Sequence, residues 1–315
     1  LESLNQRIRG YMKVDVIIQS FKKPELLFYT LLSLKKHSEQ HIHTIWINDD
    51  SDNDSVMDFY KSEIFQKALE PWVIMTRKNT QRGGWWFTPV KGLYPSYLGK
   101  TKRIIYSIRA KIKGTGFQLL RSNSRYQWGL DSTDKKFVFI IHDDIEFYQD
   151  VLGLMINKVR SMSKPGIVGD LGQCWRCEYS SAGCTPYKVD NGILPSPAWP
   201  DIEPTMNGHR WPCRINEWCC LLSKDAADYI ERKHKVLYGS YDNHGDISAY
   251  WFALLNREHY EFSDIAKNKS EKDKLFIHAD GGSGHSVWVD QGDGKKKYNP
   301  DLVRALIKQK YNIII

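Results

Sequence analysis

The residues with the clearest chemical capacity are Asp143 and Asp144. These adjacent carboxylates follow the apolar run Phe137–Ile141 and His142, with Glu146 just beyond. A continuous apolar run of that kind predicts a strand buried on both faces of a sheet. Acids at its carboxyl end stand where open α/β sheets bind their ligands. Carboxylates beside low-dielectric surroundings are costly unless a cation neutralises them. A divalent Mn2+ or Mg2+ that also carries phosphate oxygens suits that need. The plainer alternative is an acid pair that faces water or caps the next helix.

Two further clusters carry chemistry. The segment Asp49-Asp50-Ser-Asp-Asn-Asp54 follows a second apolar run and reads as a turn and a helix N-cap in one. Cys174, Cys177, Cys184 and Cys213 fall in one Gly- and Pro-rich stretch. Their Cys-x-x-Cys start suits a structural Zn2+ that staples a long loop, with disulfides or free thiols as the alternatives.

The elements that must position these groups alternate regularly. Val14–Ser20 predicts a strand, Pro24 opens a helix to about His37, and His43–Asp49 predicts a second strand. A helix to about Leu69 and a strand at Trp72–Thr76 complete a parallel, right-handed β-α-β arrangement. Ser20, Asp50 and Asn79 then emerge together at its binding face. Beyond the central strand come a helix over 149–161, strands at 166–170 and 217–222, and a helix starting at Ser223 or Asp225. A helix over 247–257, a short strand at 274–278 and a helix over 300–310 follow, with 312–315 read as a frayed end. Residues 79–134 read as a long and less regular segment, and 171–212 as a long irregular excursion.

Composition bounds the alternatives. The 315 residues are 41% hydrophobic and 26% charged, as expected of a globular chain with a sizeable core. No stretch approaches the ~18 apolar residues needed to span a bilayer. The sequence opens on Leu1 with no secretory leader pattern and is read here as a mature or excised chain. A net charge of +8 favours an anionic partner such as a nucleotide, a phospholipid headgroup or nucleic acid. Residues 100–113 set Ile104, Ile105, Ile108 and Ile112 at helical spacing among Lys and Arg. That stretch reads either as an amphipathic helix packed on the core or as one lying on an anionic membrane surface.

In this order the motifs resemble glycosyltransferase family 2 and its GT-A-fold relatives. Asn48-Asp-Asp-Ser-Asp-Asn-Asp54 is similar to that family's acidic turn after the second strand, and Asn79-Thr-Gln-Arg-Gly-Gly84 to the loop after the third. His142-Asp143-Asp144 resembles the Asp-x-Asp motif, and Gly245-Asp246-Ile-Ser-Ala-Tyr250 the Glu-Asp helix start. His278 before Gly281-Gly282-Ser283 resembles the late His ahead of a Gly/Ser loop. Two positions depart. His142 replaces the first acid of Asp-x-Asp, and no Glu precedes Asp246.

The resemblance implies an α/β, GT-A-like (Rossmann-like) mostly parallel central sheet flanked by helices, with irregular insertions. It implies one catalytic domain over 1–315, with a nucleotide-binding half at 13–147. An acceptor-binding half at 148–290 carries the Cys-rich insertion 171–213, and a tail occupies 291–315. It also implies metal-dependent transfer, with inversion, from a nucleoside diphosphate sugar, UDP-sugar favoured, to a glycan or lipid-linked glycan. On that pattern Asp144 and His278 are metal ligands, with ligation by both Asp143 and Asp144 as the alternative. Gln19, Ser20, Asp50, Asn79, Arg82 and Asp143 are the donor-binding candidates. Asp246 is the general base, and Glu217 and Trp218 are acceptor contacts. A cell-surface glycan made at the cytoplasmic face of a membrane, with peripheral contact, is the matching location.

Two other classes compete. A sugar-phosphate nucleotidyltransferase would also use strand-end carboxylates, but Gln19-Ser-Phe-Lys-Lys-Pro24 is not a Gly-rich phosphate loop. A zinc-stapled nucleic-acid-binding protein would need a basic, aromatic face free of acidic clusters. The acids at 49–54 and 143–146 argue against that partner.

Overall fold

The computed structural model describes residues 12–51, 53–79, 124–173, 214–239, 248–266, 269–278, 288–290 and 296–315. In chain order the elements are β1 Val14–Ser20, α1 Pro24–Ser38, β2 Ile42–Asp49, α2 Asp54–Lys61, α3 Glu63–Leu69 and β3 Val73–Lys78. They continue with α4 Gln127–Ser132, β4 Phe137–His142, β5 Ile145–Phe147, α5 Val151–Ser161, β6 Pro165–Gln173 and β7 Arg214–Ser223. The remainder are α6 Lys224–His234, α7 Ala249–Arg257, β8 Glu261–Asp264, α8 Lys269–Lys272, β9 Phe276–His278, β10 Trp288–Asp290, β11 Lys296–Tyr298 and α9 Pro300–Tyr311.

A seven-stranded sheet in the order β3-β2-β1-β4-β7-β6-β8 forms the centre, with helices on both faces. β3, β2, β1 and β4 pair in parallel, as do β6 and β8. β7 pairs antiparallel with β4 and with β6, so it alone in this sheet runs the other way. The predicted α/β, mostly parallel arrangement is therefore the one observed. The apolar strands are buried on both faces, as their composition requires. Val16, Ile18, Phe139 and Ile141 join the cluster beneath α1. Ile17, Val138 and Ile140 join the opposite cluster with Tyr126, Tyr238 and Trp251.

Three differences from the sequence reading have local causes. The helix expected to run to Leu69 is two helices, because Ser62 turns to extended backbone and accepts a hydrogen bond from Phe65 N at 3.3 Å as the cap of α3. α1 is buried along its whole 25–34 stretch rather than along one stripe. Its outer side is covered by α9, through Arg304 to Glu25 at 2.6 Å, Lys310 to Tyr29 at 2.6 Å and Tyr29 against Tyr311. The tail is thus part of the packed structure. α4 lies within the segment expected to be less regular, seated where Gly129 leaves room for Ile17; a Cβ there would stand 2.7 Å from that side chain. Among the described residues no helix is long and apolar enough to cross a membrane.

Candidate functional site

Register brings the polar ends of four strands into rows. Gln19 lies beside both Asn48 and His142, and Asn48 lies beside Arg77. Arg77 Nε donates to Asn48 Oδ1 at 2.9 Å, and Asn48 Nδ2 donates to Gln19 Oε1 at 2.8 Å. This polar row underlies the carboxyl ends of β1 to β4. Arg77 also stacks over Trp128 of α4 at 5.0 Å.

One residue further along, the two neighbouring aspartates divide their tasks. Asp49 is consumed by the fold. It accepts from Ser51 N at 2.6 Å and from Tyr60 Oη at 2.8 Å, and Tyr60 in turn meets Ser20 Oγ. Asp50 is held at the mouth of β2 by its own N–H to Ser20 O at 2.9 Å and by Asn79 Nδ2 at 2.7 Å. Burial pushes the Asp50 carboxyl up, against the pull of Asn79, Arg125 and Gln19. Asn79 donates its N–H to Asp49 O at 2.7 Å, and its buried Oδ1 accepts from no donor among the described residues. A buried acceptor left that way costs about 1–3 kcal/mol unless a ligand donates to it.

The acid pair sits where β4 ends and the chain turns into β5. Asp143 Oδ2 accepts from Ser20 Oγ at 2.9 Å and from Phe21 N at 3.2 Å. Lys23 Nζ lies 2.9 Å from Asp143 Oδ1 and 2.9 Å from Asp144 Oδ2. The β1–α1 turn delivers this lysine. Lys22 takes a left-handed backbone (φ 58°) with its N–H on Ser51 Oγ at 2.8 Å, and Lys23 is the N-cap residue of α1. Burial alone would lower the Lys23 pKa, but Asp143 and Asp144 hold its ammonium well above the ordinary lysine value. Burial raises Asp143, with Lys23 opposing and Asp144 adding to the rise.

Whether the implied divalent ion fits can be judged from that geometry. Two carboxylate oxygens converge on one positive atom, and hard oxygen donors of that kind suit Mg2+ or Mn2+ with water and phosphate completing the shell. Lys23 is the stand-in cation. Among the described residues no group of three or more His, Cys, Asp and Glu side chains gathers to hold a metal. A further ligand must come from elsewhere. β9 pairs His278 with Ile145, next to Asp144, so the backbone of His278 is placed beside the acid pair.

On the other side, the reversal of β7 brings its first residues to the same end of the sheet. Arg214 Nη1 and Glu217 Oε2 form a buried ion pair at 2.8 Å. Burial opposes ionisation of Glu217, yet Arg214 and His142 keep its carboxyl below the usual range. Trp218 is partly buried edge-on to Phe276 at 5.3 Å. Glu146 is engaged by Lys310 and by Tyr148 Oη.

The structure therefore gathers Gln19, Ser20, Asp50, Asn79, Asp143 and Asp144 at one end of the sheet, with Glu217 on the neighbouring strand. Arg82, Asp246 and the four cysteines 174, 177, 184 and 213 lie outside the described residues, as does the basic stretch 100–113. Cys219 and Cys220 are buried free thiols in β7. Sequence reasoning missed Lys23, Arg125 and Arg214 as members of this end. The available signal for Lys23 was a pair of lysines directly after a buried strand.

The sequence matches no protein-family model and no curated protein. Among solved structures it is similar to a mannosyltransferase from Pyrobaculum calidifontis in complex with GDP-Man and Mn2+, at 13% identity and a TM-score of 0.46, covering 88% of this chain and 59% of that one. It is similar to mouse xyloside xylosyltransferase 1 at 10% identity and a TM-score of 0.43, covering 80% of this chain and 84% of that one. Core-mannan synthase A from Aspergillus fumigatus, in its Mn/GDP form, matches at 10% identity and a TM-score of 0.43, covering 93% and 82% respectively.

Proposed function

We propose that this chain is a metal-dependent, inverting glycosyltransferase that moves a sugar from a nucleoside diphosphate sugar to a glycan or lipid-linked glycan acceptor. The observation that carries the reading is the row formed at one rim by Asp143 and Asp144 at the exit of β4, Ser20 at the exit of the adjoining β1, and Asp50 and Asn79 at the exits of β2 and β3. Asp144, with His278, would hold the ion, which supplies Lewis-acid neutralisation of the leaving diphosphate when bound.

The chain's own residues do the rest. Asn79 offers a buried carbonyl oxygen to a base N–H, a donor that uracil presents at its ring nitrogen and guanine does too, so the preference for UDP rests on the family resemblance. Asp50, ordered by Asn79, accepts from base or ribose, and Asp143, anchored by Ser20, stands nearer the ribose side. Gln19 fixes the polar row beneath them, and Arg82 pairs with phosphate. Asp246 takes the proton of the attacking acceptor hydroxyl. A carboxylate base without a covalent sugar intermediate gives inversion, by analogy with single-displacement glycosyl chemistry. Glu217 and Trp218 line the acceptor side, with Glu217 oriented by Arg214. The net charge of +8 is consistent with work on lipid-linked glycans at an anionic membrane face, for a cell-surface product.

The test is thermal stabilisation by UDP and by GDP, with and without Mn2+, in the wild type and in Asp144→Ala. UDP at about a hundredfold over its Kd should add about 2.7 kcal/mol only when Mn2+ is present, and Asp144→Ala should abolish that gain while keeping the fold. Equal stabilisation without Mn2+, or in the variant, rejects the reading.

A further inference from the structure

One contact at the site does not follow from the proposed activity. Lys23 places a single ammonium between Asp143 Oδ1 and Asp144 Oδ2, 2.9 Å from each. Those are two of the pair's four oxygens. Of the others, Asp143 Oδ2 is already taken by Ser20 Oγ and Phe21 N, and Asp144 Oδ1 belongs to the same carboxylate that Lys23 holds, so an ion on either acid meets the ammonium. Two cations cannot share that pair of oxygens without strong mutual repulsion. One ammonium over two carboxylates leaves the three groups with one negative charge in excess, which a divalent ion would remove. Lys23 sits on a flexible four-carbon stem, and its side chain keeps 17% exposure, so it has a way out toward solvent. Its backbone is fixed at the cap of α1, so the ammonium stays tethered beside the pair when it leaves.

We propose that Lys23 is an internal cation that occupies the Asp143–Asp144 pair in place of the metal, is displaced as the ion enters, and then pairs with the donor diphosphate. The proposal rests on the metal-dependent reading above and adds to it a competitor and a second diphosphate contact. Lysine serves both positions because its charge is compact and its donors rotate freely. In the empty site it keeps two buried carboxylates from lying uncompensated. In the loaded site it would follow the negative charge to the phosphates.

The experiment measures Mn2+ binding directly, by electron paramagnetic resonance of the free ion, in the wild type, Lys23→Met, Lys23→Arg and Asp144→Asn. Lys23→Met should bind Mn2+ at least about tenfold more tightly than the wild type, the scale on which a nearby like charge acts. Lys23→Arg should stay near the wild type, and Asp144→Asn should lose binding. Binding by Lys23→Met equal to or weaker than the wild type, with Asp144→Asn still defective, overturns the competitor and leaves the metal-dependent reading standing. Binding that is absent from the wild type, or indifferent to Asp144→Asn, removes both.

Should Lys23→Met fail to fold, the wild type alone decides the matter through reductive methylation of Lys23 read by peptide mass spectrometry. Labelling should be slow in the apo protein, rise on adding Mn2+, and fall again on adding UDP with Mn2+. A labelling rate unchanged by saturating Mn2+ overturns the proposal.

Discussion

Asp49 and Asp50 are adjacent in sequence and identical in type, yet only one is available to a ligand. Tyr60 and Ser51 N hold Asp49 inside the turn, while Asp50 keeps a place at the mouth of β2. The acidic cluster was legible in the sequence; the division of labour within it was not, because it depends on a tyrosine eleven residues away. Ser20, Asn79 and the 143–144 pair were legible for a simple reason: strand ends are read from where apolar runs stop. Lys23 was not, since a lysine in a loop reads as solvated until the β1–α1 turn is seen to close on the end of β4. The base assigned to Asp246 makes a prediction at this scale. Asp246→Asn should keep Mn2+-dependent stabilisation by UDP and lower sugar transfer by about a hundredfold or more, as followed by release of UDP from the donor in the presence of acceptor. Turnover that survives the substitution would place the base elsewhere.

Among the elements, the first five strand and helix assignments followed directly from apolar periodicity, apart from the break at Ser62. The direction of β7 did not, because a fully buried run such as Cys219–Leu222 reads the same whichever way the strand lies against its neighbours. That direction is what sets Arg214 and Glu217 against the exit of β4. The pair is almost wholly buried, so losing one member strands a charge inside the protein. Arg214→Met is expected to cost about 3–5 kcal/mol in urea unfolding, whereas Arg214→Met with Glu217→Leu should recover most of it. If the single substitution proves as mild as the double, Glu217 finds another partner and the pair is not what orders this strand. α9 was expected as a helix but not as a cover for α1; its docking depends on Glu25 meeting Tyr298 and Arg304 across the fold, a pairing that local sequence cannot show.

At the scale of the whole molecule, the far side of the sheet contributes to how stability varies with pH. Asp264, at the end of β8, has a pKa pushed up to about 6, chiefly by burial, with backbone N–H groups of Leu171 and Ala266 opposing and Asp170 adding. The ordinary value is 3.8. Between those values the folded state holds a proton that the unfolded chain has released, so this group's contribution to stability falls as pH rises through the window. Asp264→Asn keeps an acceptor for both N–H groups and removes the titration. Unfolding by urea from pH 4 to pH 7 should therefore show the variant gaining on the wild type until about pH 6 and keeping a constant difference from it above that. A difference that does not change with pH would mean Asp264 is ionised throughout.

Gln173 and Arg214 face each other across β6 and β7, so the chain leaves the sheet and re-enters it at one paired position. That rung closes the β6–β7 ladder at the point where the chain departs and returns. β3 ends beside Asp49 and β9 ends beside Ile145, so the segments that follow them also depart from this same rim. A scaffold wired in this way concentrates its departures at one rim, so changes spliced in there fall outside the paired strands.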